Sequence, residues 1–242
     1  MNLLKGRKLT MSEYSVEESL KAWQENAQFW DNSMGDDSNQ FHREVIRPKV
    51  SELLDIKEDD FILDIACGNG NYSAYIAKNG ANVVAFDYSA KMIELAEKRQ
   101  EKYKDKIEFH VIDATNEKEL YSLKKDRLYN KAVSNMAVMD ITYINALFRC
   151  VNDLLMENGI FVFATQHPCF VTLTDKYLTA HSYSGEAIAG QPRLQCYYHR
   201  SLQDIFNLCF QSGFVIDGFY EESYGVKEKP DVIIVRARKC KL

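Results

Sequence analysis

Two patterns of apolar residues take turns along this chain, short continuous runs and stretches with helical spacing. Short apolar runs, of the kind shown by strands buried on both faces, recur from Phe61 onward. The predicted strands are Phe61–Ile65, Asn82–Phe86, Ile107–Ile112, Asn130–Ser134 and Ile160–Ala164. Stretches with helical spacing separate them, at Asn71–Asn79, Ser89–Tyr103 and Thr142–Leu155, while Thr115–Leu128 carries a short helix at most. This alternation predicts a doubly wound α/β fold, with a parallel sheet and helices on both faces.

Both ends of the chain depart from this alternation. Ser15–Glu18 is a capping box that predicts a helix through Trp30, followed by a polar loop from Asp31 to Gln40. A second helix starts at Phe41, and Pro48 is expected to kink or restart it. At the other end, a helix over Ser201–Gly213 precedes two strands, Phe214–Glu221 and Asp231–Arg238.

The stretch from Phe61 to Tyr75 combines a buried strand, a Gly-x-Gly turn and the start of a helix. Such a corner binds nucleotides in doubly wound sheets, because glycine allows a tight turn and close approach of a ligand. Asp87 ends the next strand about twenty residues after Gly68, as expected of an acid that binds ribose. Ser73 stands where the dinucleotide fingerprint has its third glycine, which disfavours a nicotinamide cofactor.

Three segments resemble the ordered motifs of class I S-adenosylmethionine-dependent methyltransferases. They are Asp64–Asn71 (DIACGNGN), Val84–Ser89 followed by Met92, and Ile112–Ala114. The resemblance covers roughly Val45 to Leu242 and is closest to the small-molecule branch called type 11. It implies a Rossmann-like sheet of seven strands, mostly parallel with an antiparallel last strand, and S-adenosylmethionine as cofactor, with S-adenosylhomocysteine as product.

The resemblance also implies a role for each motif. Asp64 and the Ala66 backbone would hold the α-amino group, the turn would hold the carboxylate, and Asp87 would bind the ribose. Tyr88 and Met92 would enclose the adenine, with Asp113 at its exocyclic amine. The predicted cofactor-binding residues are Asp64, Ala66, Cys67, Gly68, Gly70, Asn71, Asp87, Tyr88, Met92, Asp113, Ala114, Asn135 and Met136.

Further candidates lie outside these motifs. His42 or Arg43 could reach the cofactor carboxylate, or could be part of a solvated helix face. His167 follows the fifth strand and is the candidate general base, although a lone histidine is also commonly structural.

We expect one domain over residues 1–242. Residues 1–44 would form a helical flap over the cofactor, or simply pack on the sheet. Residues 166–200 form a long connection rich in tyrosine, interpreted as an inserted lid that bears on the acceptor. The aromatic residues that could wall an acceptor pocket there are Phe170, Tyr177, Tyr183, Tyr197 and Tyr198.

Composition limits the chemical class of the expected methyl acceptor. A net charge of −5 disfavours nucleic acid, which binds to clustered basic residues, and favours a small, neutral or partly apolar molecule. No apolar run reaches membrane-spanning length, and no histidine or cysteine spacing indicates a metal. Six scattered cysteines suit a reducing cytoplasm. The alternatives are a cofactor sensor without turnover, an enzyme that uses the cofactor for another reaction, and a nicotinamide-dependent dehydrogenase.

Overall fold

The structure is a computed structural model that describes residues 16–172, 174–225 and 228–240. The capping box predicted at Ser15 and the first part of the expected flap lie outside the described residues. The strands are β1 (Phe61–Ile65), β2 (Asn82–Asp87), β3 (Ile107–Val111), β4 (Tyr129–Asn135), β5 (Leu155–Gln166), β6 (His181–Gly185), β7 (Gln195–His199), β8 (Phe214–Glu222) and β9 (Val232–Lys239). The helices are α1 (Val16–Met34), α2 (Arg47–Leu54), α3 (Asn71–Lys78), α4 (Ala90–Arg99), α5 (Glu117–Ser122), α6 (Ile144–Leu154) and α7 (Leu202–Gln211).

Seven of the strands form one sheet in the order β3-β2-β1-β4-β5-β9-β8. The strands from β3 to β5 run parallel, whereas β9 is antiparallel to both of its neighbours. This confirms the predicted mostly parallel sheet with an antiparallel last strand. The order reverses between β1 and β4, and a doubly wound sheet binds its ligand at this switch point.

Helices cover both faces of the sheet because its central strands are apolar on both sides. Every residue of β1 is buried, with Phe61, Leu63 and Ile65 in one core and Ile62 in the other. The first core is completed by α5, α6 and α7, and the second by α2 and α3. Burial on both faces explains why β1 reads as a continuous apolar run.

Helices α1 and α4 each end four residues away from the predicted position. The loop expected from Asp31 begins only after Met34, because the side chain of Asp31 is bonded inside the protein and α1 continues past it. Helix α4 is capped by Ser89 as predicted, since its hydroxyl accepts from the Met92 N–H. However, α4 ends at Arg99, and Glu101–Tyr103 forms a separate 3₁₀ turn.

The long segment after β5 contains a hairpin that the sequence analysis did not predict. Strands β6 and β7 pair antiparallel, from His181 with His199 to Gly185 with Gln195. The hairpin packs through Tyr183 and Tyr197 on Met139, which follows β4. The described part of segment 166–200 therefore contains a folded hairpin that packs against the residues following β4.

Candidate functional site

A large cavity opens at the carboxyl ends of β1, β2 and β4. It encloses about 1210 Å³, counting the part that opens to solvent. Every predicted cofactor-binding residue except Gly70 lines it.

The glycine turn forms the floor of the cavity. Gly68 has φ +56°, and a Cβ built there would meet only the Trp30 Nε1 atom, at 3.7 Å, so it would project into the cavity. Gly70 has φ +72°, but a Cβ there would come within 2.9 Å of the Phe109 ring. Gly70 therefore allows packing against β3 and does not line the cavity, which departs from the prediction.

Two buried carboxylates flank the turn. Asp87 accepts hydrogen bonds from the N–H groups of Gly68 at 3.0 Å and Ser89 at 2.9 Å. Asp64 accepts from the Ser73 hydroxyl at 2.5 Å. Burial raises the pKa of Asp87, and it raises the pKa of Asp64 to about 7, with the Ser73 bond opposing the rise and Asp87 adding to it. Among the described residues, no basic side chain contributes to the shifted pKa of either acid.

The far side of the cavity combines apolar surfaces with one more acid. Tyr88 and the buried Met92 line it beside Asp113 and Ala114. The carboxylate of Asp113 is held by the N–H and hydroxyl groups of Thr115, both at 2.8 Å from Oδ1. A flat ring with polar edges fits between such surfaces.

Helix α1 covers the cavity. Trp23 and Trp30 line it, with ring centroids 5.3 Å apart in an edge-to-face arrangement. The end of α1 is fixed to the glycine turn, because Asp31 accepts from Asn69 at 3.0 Å and from Arg99 at 2.8 and 2.7 Å. Although burial acts to raise it, these bonds hold the pKa of Asp31 below its usual value.

The start of α1 is fixed by the hairpin connection. Asn26 exchanges two hydrogen bonds with the Arg193 backbone, at 2.8 and 2.9 Å. The Arg193 guanidinium pairs with Glu18 at 2.8 Å and with Glu25 at 3.0 Å. These exposed ion pairs are weak, so this end of α1 is held less firmly than the end at Asp31.

Comparisons with known proteins agree with this geometry. A family model described as a methyltransferase domain matches residues 56–213. The chain belongs to this family. The class I methyltransferase resemblance is thereby confirmed.

Individual relatives of this methyltransferase domain act on different acceptors. The chain is 32% identical over 121 residues to a ubiquinone biosynthesis O-methyltransferase of Pelagibacter ubique, covering 50% of this chain and 46% of that protein. It is 33% identical over 85 residues to a 23S rRNA (uracil(1939)-C(5))-methyltransferase of Alcanivorax borkumensis, covering 34% of this chain and 19% of that protein. The chain thus spans about half the length, or less, of these relatives.

Solved structures share the fold. An S-adenosylmethionine-dependent methyltransferase of Clostridium acetobutylicum superposes with a TM-score of 0.64 at 16% identity, covering 89% of this chain and 98% of that one. At this identity the likeness concerns the fold alone.

Among the other residues that line the cavity, His42, Arg47 and Asp140 have side chains that could bind a ligand, and His42 was a candidate for the cofactor carboxylate. His42 lines it, and burial lowers its pKa to about 4, so its ring is neutral at pH 7. Arg47 lines it while pairing with the exposed Asp37 at 2.6 Å. Asp140, five residues beyond β4, also lines it. All three residues lie outside the sequence motifs. Tertiary packing brings each of them to the cavity.

Arg43 and His167 lie elsewhere. The Arg43 guanidinium donates to the Ser38 carbonyl, and Arg43 is not among the residues that line the cavity. His167 is buried outside it, with Nε2 at 2.6 Å from the Glu221 carboxylate and Nδ1 accepting from the Cys169 N–H at 3.2 Å. Both ring nitrogens of His167 therefore have partners within the protein.

The predicted acceptor-wall aromatics also lie outside the cavity. Tyr183 and Tyr198 line a second, small pocket beside Arg200, and none of the residues 166–200 that the structure describes lines the large one. The hairpin instead supports Met136 and Met139 from behind. Segment 166–200 therefore bears on the site indirectly, through the residues after β4 and through Arg193.

Within 16–172, 174–225 and 228–240, no cluster of three or more His, Cys, Asp or Glu side chains is arranged to hold a metal ion. Over those same ranges, no helix combines the length and apolarity needed to cross a membrane.

Proposed function

We propose that this protein binds S-adenosylmethionine in the large cavity and transfers its methyl group to a small-molecule acceptor. The observation that carries the proposal is the meeting of three acids, Asp64, Asp87 and Asp113, around the Gly68 turn in one cavity. Each lies at or near the carboxyl end of a different strand of the sheet, and each matches a group that the cofactor presents.

The residues fit the cofactor group by group. A carboxylate at the end of β2 can accept from both ribose hydroxyls, and Asp87 has this position. The adenine fits between Tyr88 and Met92 with its amine toward Asp113, while Asp64 suits the ammonium group. Arg47 and the first N–H groups of α3 suit the carboxylate, because a guanidinium and a helix N-terminus both favour anions.

The charge of the cavity supports a cationic ligand. Of the described residues, its lining includes the carboxylates of Asp64, Asp87, Asp113 and Asp140 and the guanidinium of Arg47. S-adenosylmethionine carries a sulfonium, an ammonium and one carboxylate, so its net charge is positive. Its sulfonium makes the methyl group transferable, and the protein contributes mainly alignment of the acceptor.

A small acceptor is supported by enclosure and charge. The cavity lies beneath α1, where Trp23 and Trp30 screen it from solvent. A net charge of −5 opposes binding to a phosphate backbone. The curated relatives include both small-molecule and rRNA methyltransferases, so the acceptor class needs its own test.

The test is methyl transfer from labelled S-adenosylmethionine to a metabolite extract and to total RNA in parallel. We expect label in small molecules of the extract and none in RNA. Labelled RNA with an unlabelled extract would contradict the small-molecule proposal. Cofactor binding without label in either would indicate a sensor.

The ribose assignment predicts the effect of Asp87→Ala. Two ribose hydroxyls would lose their acceptor, which costs about 1–3 kcal/mol, or roughly 5- to 150-fold in affinity for S-adenosylhomocysteine. Calorimetry would measure this. Asp126→Ala is the matched control, because it removes an exposed carboxylate outside the cavity and should leave affinity unchanged. Equal affinity in the Asp87 variant and the wild type would refute the assignment.

The position of α1 predicts that it responds to the cofactor. Amides of Val16–Trp23 should gain protection from hydrogen exchange when S-adenosylhomocysteine is added, because this end of α1 covers the cavity and is held by weak surface ion pairs. The C-terminal half, fixed through Asp31, should change less. Helix α7 (Leu202–Gln211) does not line the cavity and serves as the internal control. Equal exchange in α1 with and without ligand would favour static packing.

A further inference from the structure

Asp140 is the carboxylate in the cavity to which the cofactor assignment gives no role. It ends the 3₁₀ turn Val138–Asp140 that follows β4. Asn135, the last residue of β4, lines the same cavity. Both therefore lie at the carboxyl edge of the sheet, on the β4 side of the cavity.

Both side chains hold a buried oxygen that lacks a partner. The Oδ1 atoms of Asp140 and Asn135 are inaccessible to solvent and make no hydrogen bond to any described residue. A buried acceptor left unpaired costs free energy, and the cost is greatest for a carboxylate. The two oxygens thus suit a donor that arrives with a ligand.

The backbone around Asp140 is held by hydrogen bonds, but none of them reaches the Oδ1 atom of Asp140. The buried guanidinium of Arg200 donates to the backbone carbonyls of Val138, Ile141 and Thr142, on either side of Asp140. Its hydrogen bonds therefore fix the chain around Asp140, which gives the side chain a defined position in the site.

Tyr183 and Tyr197, on the hairpin that packs against this turn, donate their hydroxyl hydrogens to other residues. The Tyr183 hydroxyl donates to Gln166 Oε1 at 2.5 Å, and the Tyr197 hydroxyl donates to Gln195 Oε1 at 3.3 Å. Neither hydroxyl hydrogen is available to Asp140. Asp140 also lines the cavity, so a donor bound there can approach its carboxyl group.

We propose that Asp140 and Asn135 bind the methyl-accepting group of the substrate, which is a hydroxyl or amine on a small organic molecule. The inference rests on the proposed methyl transfer. The acceptor oxygen or nitrogen forms a bond to the methyl carbon, the carbon–sulfur bond breaks with its electron pair going to sulfur, and the proton of the acceptor passes to the Asp140 carboxylate. Asn135 accepts a second hydrogen or fixes the orientation.

The electrostatics of the site agree with this role. Burial, and then the neighbouring carboxylate of Asp87, raise the pKa of Asp140 well above its usual range. The raised pKa makes the Asp140 carboxylate a stronger base than that of a free aspartate, which favours transfer of a proton from the acceptor.

Three small aromatic probes test whether Asp140 binds a hydrogen-bond donor, and this test does not require turnover. Phenol, aniline and toluene have nearly the same shape, but only the first two donate a hydrogen bond. We expect the wild type, with and without S-adenosylhomocysteine, to bind phenol and aniline about tenfold or more tighter than toluene, as measured by NMR titration. Asp140→Leu keeps the size and removes the acceptor, so it should abolish the preference.

The controls separate this inference from the proposed function. Asp126→Asn, outside the cavity, should keep the wild-type preference. No preference in the wild type, or an unchanged preference in the Asp140→Leu variant, overturns the assignment even if methyl transfer is found. If neither methyl transfer nor cofactor binding is found, the proposed function is rejected. The probe titration still decides whether Asp140 binds hydrogen-bond donors.

Turnover provides the second measurement. With an acceptor that the wild type labels in the extract, Asp140→Asn should lower kcat by roughly 100-fold or more, because the amide cannot take the proton. Affinity for S-adenosylhomocysteine should stay unchanged, which a general loss of folding would not allow. An unchanged kcat would overturn the role as base.

Discussion

Replacing Gly68 with valine is expected to weaken binding of S-adenosylhomocysteine by more than roughly 100-fold, equivalent to about 2.8 kcal/mol, while the protein stays folded. A Cβ at this position meets nothing closer than 3.7 Å and projects into the cavity, so the added methyl groups take space that the cofactor needs. The positive φ of +56° adds a strain of about 1–2 kcal/mol to the folded state, which lowers stability without preventing folding. Calorimetry and thermal unfolding measure the two effects separately.

Gly190→Val is the matched control for this variant. Gly190 also has a positive φ, +83°, and nothing lies within 4 Å of a Cβ built there. It does not line the cavity, so the variant should show a similar loss of stability and normal cofactor binding. Normal binding by the Gly68 variant would show that the backbone of this turn does not approach the ligand.

Asp64→Asn is expected to stabilise the unliganded protein at pH 8 and to weaken its binding of cofactor. Burial raises the pKa of Asp64 from its ordinary 3.8 to about 7, so the folded state binds the proton more tightly than the unfolded state. The free energy of unfolding of the wild type should therefore fall between about pH 4 and pH 7, by roughly 1.4 kcal/mol per unit of pKa shift overall. The asparagine does not ionise, so the variant should lack this fall and be a few kcal/mol more stable at pH 8.

Binding should show the opposite trend. The cofactor ammonium pairs with the ionised carboxylate, so wild-type affinity should rise with pH up to about 7 and then level off. Losing a charged hydrogen bond of about 1.5–3 kcal/mol should reduce the affinity of the variant roughly 10- to 150-fold at pH 8. Asp126→Asn changes an exposed carboxylate and should alter neither quantity. A variant that matched wild-type stability at pH 8 would show that Asp64 is not buried as described.

The parts of the site that could be predicted are those encoded locally. Asp64 lies next to the last residue of β1, Asp87 ends β2, and Gly68 lies in the turn after β1, so strand position alone brings them to one edge of the sheet. Asp113, two residues after β3, follows the same logic. A parallel sheet places such residues together whatever the rest of the chain does.

The remaining parts depend on contacts between distant segments. The role of Gly70 is set by the Phe109 ring on β3, which a turn motif cannot reveal. Arg47 reaches the cavity because α2 packs beside α3, and Asp140 because Arg200 fixes the turn after β4. His167 has the residue type of a base, but its burial against Glu221 becomes visible only in the folded chain.

The sequence of segment 166–200 contains a weak indication of the β6–β7 hairpin. Tyr183 and Tyr197 lie in two short β-prone runs separated by Gly190 and Pro192, a pattern typical of paired strands around a turn. The connection between them is longer than a tight hairpin turn, so local rules do not fix the register. Packing on Met139 and the bonds from Arg193 to α1 fix the position of the hairpin instead.

The most direct test of the cofactor assignment is a calorimetric titration of the wild-type protein with S-adenosylhomocysteine and, separately, with NAD. Binding of one S-adenosylhomocysteine per chain, lost in the Gly68→Val variant, together with no detectable binding of NAD, is the result that the arrangement of Asp64, Asp87 and Asp113 predicts. Binding of NAD without S-adenosylhomocysteine, or binding of neither, would contradict it.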